Sequence, residues 1–327
     1  MQELNKANRI LVKDLKDRES VNSVFLVKEK NLGIGKTGKS FMSMVLGDNT
    51  GNIDGRVWDQ VEDLNKEFET GDIVLVKGSV QVFQNRKQLI ISKITRQDLS
   101  SFQISDFVLS SKKSAEDMFA ELMILAKEIQ NEHIRLLVLS VLEDPEIKPL
   151  LFKAPAAKTI HHAWYGGLLE HILSITKILK DLAKHYDFLN RDLLYFGAIF
   201  HDIGKLWELE YDHTFSYTSR GRLIGHMEIA CELIDRKATR ILGFPSDLKD
   251  ICKHIILSHH GKLEYGSPKR PKFIEAFLVA FVDDLDSKMS TLNSFLTGER
   301  SSGDSWSRYN DLFERYFLLD DLKEKYK

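Results

Sequence analysis

Residues 33–52 read GIGKTGKSFMSMVLGDNTGN, and this stretch decides between two folds. Its first eight residues match G-x-x-x-x-G-K-[ST], the phosphate-binding loop of ATPases and GTPases. That loop needs a helix directly after it, because the N–H groups of the helix N-terminus bind the phosphates. Here Met42, Met44 and Leu46 alternate with the period of a strand, and Gly47 ends the run. The stretch therefore predicts a β-hairpin with a Gly- and Lys-rich tip, and no ATP-binding site.

The strand pattern continues on both sides of this hairpin. Short runs rich in Val, Ile and Phe are separated by turn sequences such as GDNTGN, ETGD and QNRK, with one short helix expected at QVEDLNKEFE. The predicted strands are SVNSVFLVKEKNL, KSFMSMVLGD, GNIDGRVWD, GDIVLVKGSVQVF and RKQLIISKIT. Five such strands fit an OB-fold, a Greek-key β-barrel that binds oligonucleotides on its face and loops. We assign this barrel to residues 1–105.

From Ser114 onward the hydrophobic period becomes helical. Ser114 suits an N-cap, with Asp117 three residues later in a variant of the capping box. Further helices are expected near 131–143, 167–187, 190–203, 225–242, 246–260, 272–295 and 304–323. The last of these segments carries Trp306, Tyr309, Phe313 and Phe317 at helical spacing. We therefore predict an all-α helical bundle over residues 106–327, ending in a helical segment that packs on the bundle or on a second subunit.

Bulk composition narrows the class of protein. The 327 residues are 43% hydrophobic and 29% charged, which is typical of a globular protein with room for two domains. The net charge is −2, so any nucleic-acid surface must be a local basic patch. Cys231 and Cys252 fall in apolar helical patterns and predict buried thiols. No apolar run approaches the ~20 residues of a membrane span, and the charged N-terminus differs from a signal peptide, so we expect a cytoplasmic protein.

Histidines and aspartates in the second half recur on apolar helical segments or at their ends. They occur in GGLLEH, AIFHDIGK, RLIGHMEIA, ILSHHG and LVAFVDDLD. A single histidine on an apolar face is more often a hydrogen-bonded core residue than a ligand. Several imidazoles and carboxylates in such places instead favour a site for a divalent transition metal, because buried polar groups need partners. The candidate ligands are His171, His201, Asp202, His226, His259, His260 and Asp283.

The order of these motifs resembles a known family. The set HHAWYGGLLEH, HDIGK, GRLIGH, SHHG and VDDLDSKM is similar to the HD-domain metal-dependent phosphohydrolases, an all-α fold. With the preceding barrel it more narrowly resembles the YhaM-type 3′–5′ exoribonucleases, over nearly the whole chain. The resemblance implies one metal ion held by His171, His201, Asp202 and Asp283. It implies a second ion, with Asp202 bridging, held by His226, His259 and His260; simpler HD enzymes bind only the first.

The reaction is likewise implied by the resemblance. It is hydrolysis of single-stranded RNA from the 3′ end to nucleoside 5′-monophosphates, with single-stranded DNA left open as a second substrate. The cofactor is one or two divalent transition metal ions, Mn foremost, with Fe, Co, Ni or Zn as alternatives. Metal ions would neutralise the phosphate oxygens and activate a water as the nucleophile. Because a helix turns about 100° per residue, Asp284 and Asp286 are expected to point away from Asp283 and serve hydrogen bonds or solvent.

The sequence suggests a catalytic role for two further residues. Lys205, one turn after His201–Asp202, either contacts the phosphate or is a solvated cation at a helix end, and the HDIGK resemblance favours the phosphate. His162, together with its neighbour His161, contacts the substrate or protonates the leaving group; the alternative is that these residues cap a helix.

Basic and aromatic residues of the barrel predict a platform for single strands, because cations track phosphates and aromatic rings stack on bases. The alternative is that the aromatic residues belong to the barrel core, as Trp and Phe commonly do. The segment KLEYGSPKRPK, residues 262–272, adds a basic loop beside His259–His260 that could form a channel wall or a lid. The candidate contacts on the barrel are Lys28, Lys30, Lys36, Lys39, Phe41, Trp58, Phe83, Arg86 and Lys87.

Two other functions remain open from the sequence. One is a phosphohydrolase of a small nucleotide or cyclic dinucleotide, in which the barrel serves regulation or assembly. The other is a non-catalytic protein that binds single-stranded nucleic acid. The complete set of candidate ligands argues against the second, and the basic hairpin argues against the first. The sequence does not indicate an oligomeric state.

Overall fold

The computed structural model describes residues 9–35, 38–83, 86–98, 101–103, 106–107, 111, 113–157, 162, 164–211, 215–300 and 304–326. The chain divides into two compact units, one N-terminal and one that begins at Ser111. Within the described ranges, none of the helices combines the length and the apolar character that a membrane span requires.

A closed β-barrel forms the N-terminal unit, with its strands in the order β1-β2-β3-β5-β4. The strands are β1 (Ser20–Ile34), β2 (Ser40–Asp48), β3 (Gly51–Val57), β4 (Ile73–Phe83) and β5 (Arg86–Arg96). β3 pairs with β5 in parallel, and the other neighbours pair antiparallel. A short helix, α1 (Val61–Leu64), stands between β3 and β4. The predicted five-stranded barrel with one short helix is confirmed.

The hairpin that joins β1 to β2 explains the Gly33–Ser40 stretch. β1 ends at Ile34 and β2 begins at Ser40, so a strand follows the Gly-Lys-Ser sequence where a nucleotide-binding loop needs a helix. Gly38 has a φ of +77°, a left-handed conformation that glycine adopts without steric cost. Met42, Met44 and Leu46 turn into the barrel core, as their alternation predicts.

The second unit is a helical bundle. Its helices are α2 (Ala115–Lys127), α3 (Glu132–Leu142), α4 (Ile147–Lys153), α5 (Gly167–His185), α6 (Arg191–Phe200), α7 (Lys205–Glu208), α8 (Ser219–Ile224), α9 (His226–Ala238), α10 (Ser246–Ser258), α11 (Ile274–Glu299) and α12 (Leu322–Lys325). A small two-stranded sheet joins β6 (Leu209–Glu210) to β7 (Ser216–Tyr217). Ser114 is the N-cap of α2, and its hydroxyl accepts the Asp117 N–H at 3.2 Å. The predicted helical bundle is therefore confirmed.

Helix α6 lies at the centre of this bundle. Its sequence LLYFGAIF is apolar all round, and every side chain from Leu194 to Phe200 is buried. Gly197 allows close packing, because an added Cβ would lie 2.6 Å from a methyl group of Val279 in α11. A fully buried helix delivers whatever follows it into the protein interior, and here the following residues are His201 and Asp202.

The C-terminal segment differs from the prediction of a helix over 304–323, which is wrong. Antiparallel bridges join Trp306 to Leu318 and Asn310 to Arg315, and a helix appears only at α12. Trp306 and Tyr309 are exposed, whereas a packed helix would bury its aromatic stripe on one face. Contacts across the hairpin, such as that between the Tyr309 and Tyr316 rings at 5.3 Å, outweigh the helical spacing.

Cys231 in α9 and Cys252 in α10 are buried free thiols. Burial raises the pKa of each thiol to about 12. The prediction of buried, unpaired cysteines is confirmed.

Candidate metal centre

The candidate ligands converge from five helices. His171 lies inside α5 and Asp283 inside α11, each on the face turned into the bundle. The remaining candidates lie at the buried ends of α6, α9 and α10: His201, Asp202, His226, His259 and His260. Helix ends suit this role because they leave backbone groups available to orient the side chains.

One oxygen of Asp202 faces a first group of ligands. Oδ2 is 3.5 Å from Nε2 of His201 and 3.7 Å from Nε2 of His171. Oδ1 of Asp283 lies 3.2 Å from the same His171 nitrogen and 3.8 Å from that of His201. The four residues predicted for the first ion therefore lie around one point.

The other oxygen of Asp202 faces a second group. Oδ1 is 3.5 Å from Nε2 of His226 and 3.6 Å from Nε2 of His259. These three atoms are buried, and no hydrogen-bond partner for them occurs in the described part of the chain. Each such atom costs about 1–3 kcal/mol, and a cation placed among them would satisfy all three. His260 extends the group, since the ligand atoms of His226, His259 and His260 lie within 4.8 Å of one another.

Hydrogen bonds from the Nδ1 atoms, on the side of each ring away from the centre, fix the orientation of four imidazoles. Three of them donate Nδ1–H to a backbone carbonyl at 2.7 to 3.0 Å: His201, His259 and His260. His226 donates its Nδ1–H to the buried carboxylate of Glu208 at 3.0 Å. Because carbonyl and carboxylate oxygens only accept, each neutral ring turns an Nε2 lone pair toward the centre. The residues present thus fit divalent metal ions.

Asp286 provides a further carboxylate that the sequence did not assign to the centre. Its Oδ2 accepts from Nδ1 of His171 at 2.8 Å and from Nε2 of His162 at 3.1 Å, and its Oδ1 accepts from Ser174. Burial would raise the pKa of Asp286, but these hydrogen bonds hold it well below its usual range. Asp286 therefore serves hydrogen bonds, one of the two expected roles. Its spacing was the missed signal, because three helical residues return to within about 60° of the same face.

His171 lies between two carboxylates and differs electrostatically from its neighbours. Burial alone would lower its pKa, but hydrogen bonds to Asp283 and Asp286 raise the pKa to about 9. Burial instead lowers the pKa of His201 to about 4 and that of His260 to about 4. At neutral pH a proton on Nε2 of His171 therefore competes with a metal ion for that nitrogen, while His201 and His260 are already neutral.

We expect the apparent affinity for Mn²⁺ at the first site to rise about tenfold per pH unit between pH 7 and 8.5, because His171, a proposed ligand of the first ion only, must lose a proton when that ion binds. The sign follows from its raised pKa of about 9, which lies above this whole interval. Calorimetric titration in two buffers of different ionisation enthalpy counts the released protons. Asp284→Asn should show the same pH dependence as the unmodified protein, since Asp284 is exposed and pairs with Lys288. An affinity independent of pH would contradict the prediction.

Lys205 is buried against Asp202. Its Nζ lies 2.6 Å from Oδ2 of Asp202, and its side chain is 12% exposed. Burial would lower the pKa of Lys205, but the Asp202 carboxylate raises it. The alternative of a solvated cation at a helix end is therefore wrong, and contact with a phosphate stays a prediction.

His162 occupies a strained position at the edge of the centre. It has a φ of +45°, is buried, and uses Nε2 to contact Asp286. It does not cap α5, whose N-cap is Gly166. Its predicted contact with substrate stays a prediction, and His161 lies outside the described residues.

On the barrel, the predicted aromatic contacts are not core residues. Trp58 is 52% exposed and Phe83 is 60% exposed, while Phe41 is half-buried. The rings of Phe41 and Trp58 lie 5.3 Å apart between centroids. Sequence reasoning missed Arg56, whose guanidinium carbon lies 6.0 Å from the Phe41 centroid. These aromatic faces remain accessible for stacking.

Two of the predicted cations are engaged within the barrel. Nζ of Lys30 donates to two backbone carbonyls and pairs with Glu69 at 2.9 Å, leaving its side chain 8% exposed. This corrects the prediction for Lys30, because an ammonium held on several sides has no donor left for a phosphate. Nζ of Lys28 donates to Oδ1 of Asn52 at 2.6 Å, and burial lowers its pKa to about 8.

The remaining predicted cations are placed differently. Lys39 and Arg86 are exposed at the ends of the two hairpins. Lys87 is exposed along its stem, but its Nζ donates to the carbonyl of Leu15 at 2.7 Å. Lys36 lies outside the described residues.

The chain matches two family descriptions: HD domain over residues 168–288, and OB-fold nucleic acid binding domain over residues 24–96. It is 35% identical over 279 residues to the 3′-5′ exoribonuclease YhaM of Geobacillus sp. (strain WCH70), covering 85% of each chain. It is 33% identical over 279 residues to YhaM of Halalkalibacterium halodurans, covering 85% of this chain and 86% of that one. The second OB-fold domain of replication protein A from Methanococcus maripaludis aligns at 24% identity and a TM-score of 0.24, over 28% of this chain and 99% of that one.

Proposed function

Because the chain belongs to the YhaM family of 3′–5′ exoribonucleases, we propose that it shortens single-stranded RNA from the 3′ end and releases nucleoside 5′-monophosphates. It is a metal-dependent exoribonuclease with an HD domain and an OB-fold nucleic acid binding domain. The observation that carries the proposal is the buried Asp202 carboxylate, whose two oxygens face imidazole Nε2 atoms on opposite sides. We assign nucleic-acid binding to residues 1–105 and hydrolysis to residues 106–327.

The proposed ligand set has two parts that share Asp202. The first ion would be held by His171, His201, Asp202 and Asp283. The second would be held by Asp202, His226, His259 and His260. Nitrogen and oxygen donors of this kind suit manganese, which we propose as the resident ion, and two buried reduced cysteines support a cytoplasmic location.

The roles of the chain's own residues follow from their positions. Bound divalent ions supply positive charge at the scissile phosphate and make water a better nucleophile at neutral pH. Asp202 holds the two groups of ligands in register, because each of its oxygens faces one group. Lys205, beside Asp202, is placed to donate a hydrogen bond to a phosphate oxygen. His162 holds Asp286, and Asp286 in turn orients His171.

The proposal is tested with a 5′-labelled single-stranded RNA in Mn²⁺. A ladder that shortens from the 3′ end, with nucleoside 5′-monophosphate as product, is expected, and chelation should stop it. Parallel incubations with single-stranded DNA, duplex RNA and a cyclic dinucleotide define the substrate class. Faster turnover of the cyclic dinucleotide than of RNA would favour the small-nucleotide function and contradict the proposal.

Trp58→Ala is expected to weaken binding of single-stranded RNA about tenfold, because loss of base stacking costs ~1–3 kcal/mol per base. Fluorescence anisotropy with a labelled oligonucleotide under non-cleaving conditions measures this loss. Trp306→Ala is the matched control, since Trp306 is similarly exposed but belongs to the other unit. Hydrolysis of bis(p-nitrophenyl) phosphate, which has no base to stack, should be equal in both variants. Equal RNA affinities of the two variants would argue against a stacking platform on the barrel.

A further inference from the structure

A cavity of about 520 Å³ is lined by the chain segment that follows α10 and the proposed ligand His260. Its lining residues are Gly261, Lys262, Glu264, Tyr265 and Arg270. Its size falls within the ~300–1,000 Å³ of small-ligand sites in proteins. The cavity is therefore large enough for one nucleotide beside the metal centre.

The wall of this cavity is held in place by the metal centre itself. His260 donates its Nδ1–H to the carbonyl oxygen of Tyr265 at 2.9 Å, so one side chain joins the proposed second ion to the loop. Farther along, Ser267 is buried, and its hydroxyl lies 3.1 Å from the carbonyl of Leu257 in α10. The N–H of Lys269 donates to that same carbonyl at 3.1 Å. These anchors fix the loop against α10, and a fixed wall loses little entropy on ligand binding.

The side chains that line the cavity have the chemistry of a nucleotide site. Tyr265 is 59% exposed, so much of its ring is accessible to a planar partner. Nζ of Lys262 lies 5.3 Å from the centroid of that ring. Arg270 adds a second cation, and the carboxylate of Glu264 adds an acceptor. Cations beside an aromatic face match a phosphate joined to a base, and an acceptor matches a ribose hydroxyl.

We propose that this cavity, here called the Tyr265 pocket, binds the 3′-terminal nucleotide of the substrate. Tyr265 stacks on the terminal base, and Lys262 and Arg270 bind phosphates of the strand on the 5′ side of that nucleotide. The inference rests on the proposed exoribonuclease function for the identity of the substrate. It adds to that function the residues that would hold the terminal nucleotide next to the proposed ligand His260.

The test compares Tyr265→Ala with Tyr265→Phe in the full chain. Stacking requires the ring and not the hydroxyl, so Tyr265→Ala should raise KM for RNA about tenfold or more, whereas Tyr265→Phe should match the unmodified protein. With an RNA whose 3′-terminal nucleotide is abasic, release of that first nucleotide should be equally fast in all three proteins. Hydrolysis of bis(p-nitrophenyl) phosphate reports the metal centre and should also be equal. An unchanged KM, or an equal loss on the abasic and ordinary RNA, would overturn the proposal.

A binding measurement separates this inference from the proposed function. Adenosine 5′-monophosphate should bind the protein, and Tyr265→Ala or Lys262→Ala should each weaken this binding at least about fivefold. Absence of binding to the unmodified protein would overturn the Tyr265 pocket whether or not RNA is hydrolysed. Binding that is lost in Tyr265→Ala, in a protein that leaves RNA intact, would instead retain the pocket and remove the exoribonuclease function.

Discussion

Asp202→Asn is expected to lower RNA hydrolysis about 10³-fold or more while leaving RNA affinity within about twofold of the original. The carboxylate lies between the two imidazole groups, and its charge is what draws cations to both of them. Burial would raise its pKa, but Lys205 and the surrounding histidines hold it well below the usual range, so the group is ionised at neutral pH. Removing that charge weakens the ligand that the two proposed ions would share.

The variant should nevertheless fold. The amide of asparagine can donate to the Nε2 lone pairs of His226 and His259, which lie 3.5 and 3.6 Å from Oδ1 of Asp202, while its oxygen still accepts from Lys205. Metal analysis of the purified variant should therefore show loss of ions from a folded protein, whose melting temperature matches that of the original protein stripped of metal. Asp284→Asn, on the exposed face of α11, should keep both ions and activity. Metal-loaded, fully active Asp202→Asn protein would contradict the proposed centre.

Gly204→Ala is expected to lower the free energy of unfolding by about 3 kcal/mol and to abolish RNA hydrolysis. An added Cβ at Gly204 would lie 1.9 Å from the backbone carbonyl oxygen of His226. A backbone carbonyl oxygen cannot rotate away as a side chain can, so the first residues of α9 must shift away from position 204. His226 would then leave its position 3.5 Å from Asp202, and the second group of ligands would come apart.

Urea denaturation and metal content measure the two parts of this prediction. Gly298→Ala is the control, because Gly298 lies within α11 and an added Cβ there meets nothing within 4 Å. Alanine at that position should leave activity unchanged and could raise stability by up to about 1 kcal/mol through its helix propensity. If both glycine variants retain full stability, the close approach between the HDIGK turn and α9 does not contribute to the free energy of unfolding, and the prediction is wrong.

The barrel and the metal centre could be predicted because their signals are local. Apolar residues at every second position, Met42, Met44 and Leu46, indicate a strand directly. The same three side chains pack in the barrel core. The candidate ligands could be found because each interrupts an otherwise apolar helix, as His201 and Asp202 do after the buried helix α6.

Other features depend on contacts between distant residues, which a local pattern does not contain. Glu208 reads as an ordinary charged residue, yet it is buried and orients His226 from 18 residues away. Lys30 looked like a free cation of the hairpin, but carbonyls and a carboxylate near α1 occupy it. In the C-terminal segment, cross-strand pairing of Tyr309 with Tyr316 outweighs the helical spacing. In each case contacts in the folded chain determine the role or conformation of the residue, and a local sequence pattern does not contain those contacts.

Because the proposed ligands are spread over five helices, the amount of folded protein in the cell should depend on the supply of metal. His171 and Asp283 are 112 residues apart in sequence, so the unfolded chain has no site for the ions. Ions that bind only the native form act as reversible cross-links and shift the folding equilibrium by mass action. A cell starved of the metal would therefore lose the protein itself to proteases, in addition to its turnover. Metal supply would thus set both the amount of enzyme and its rate.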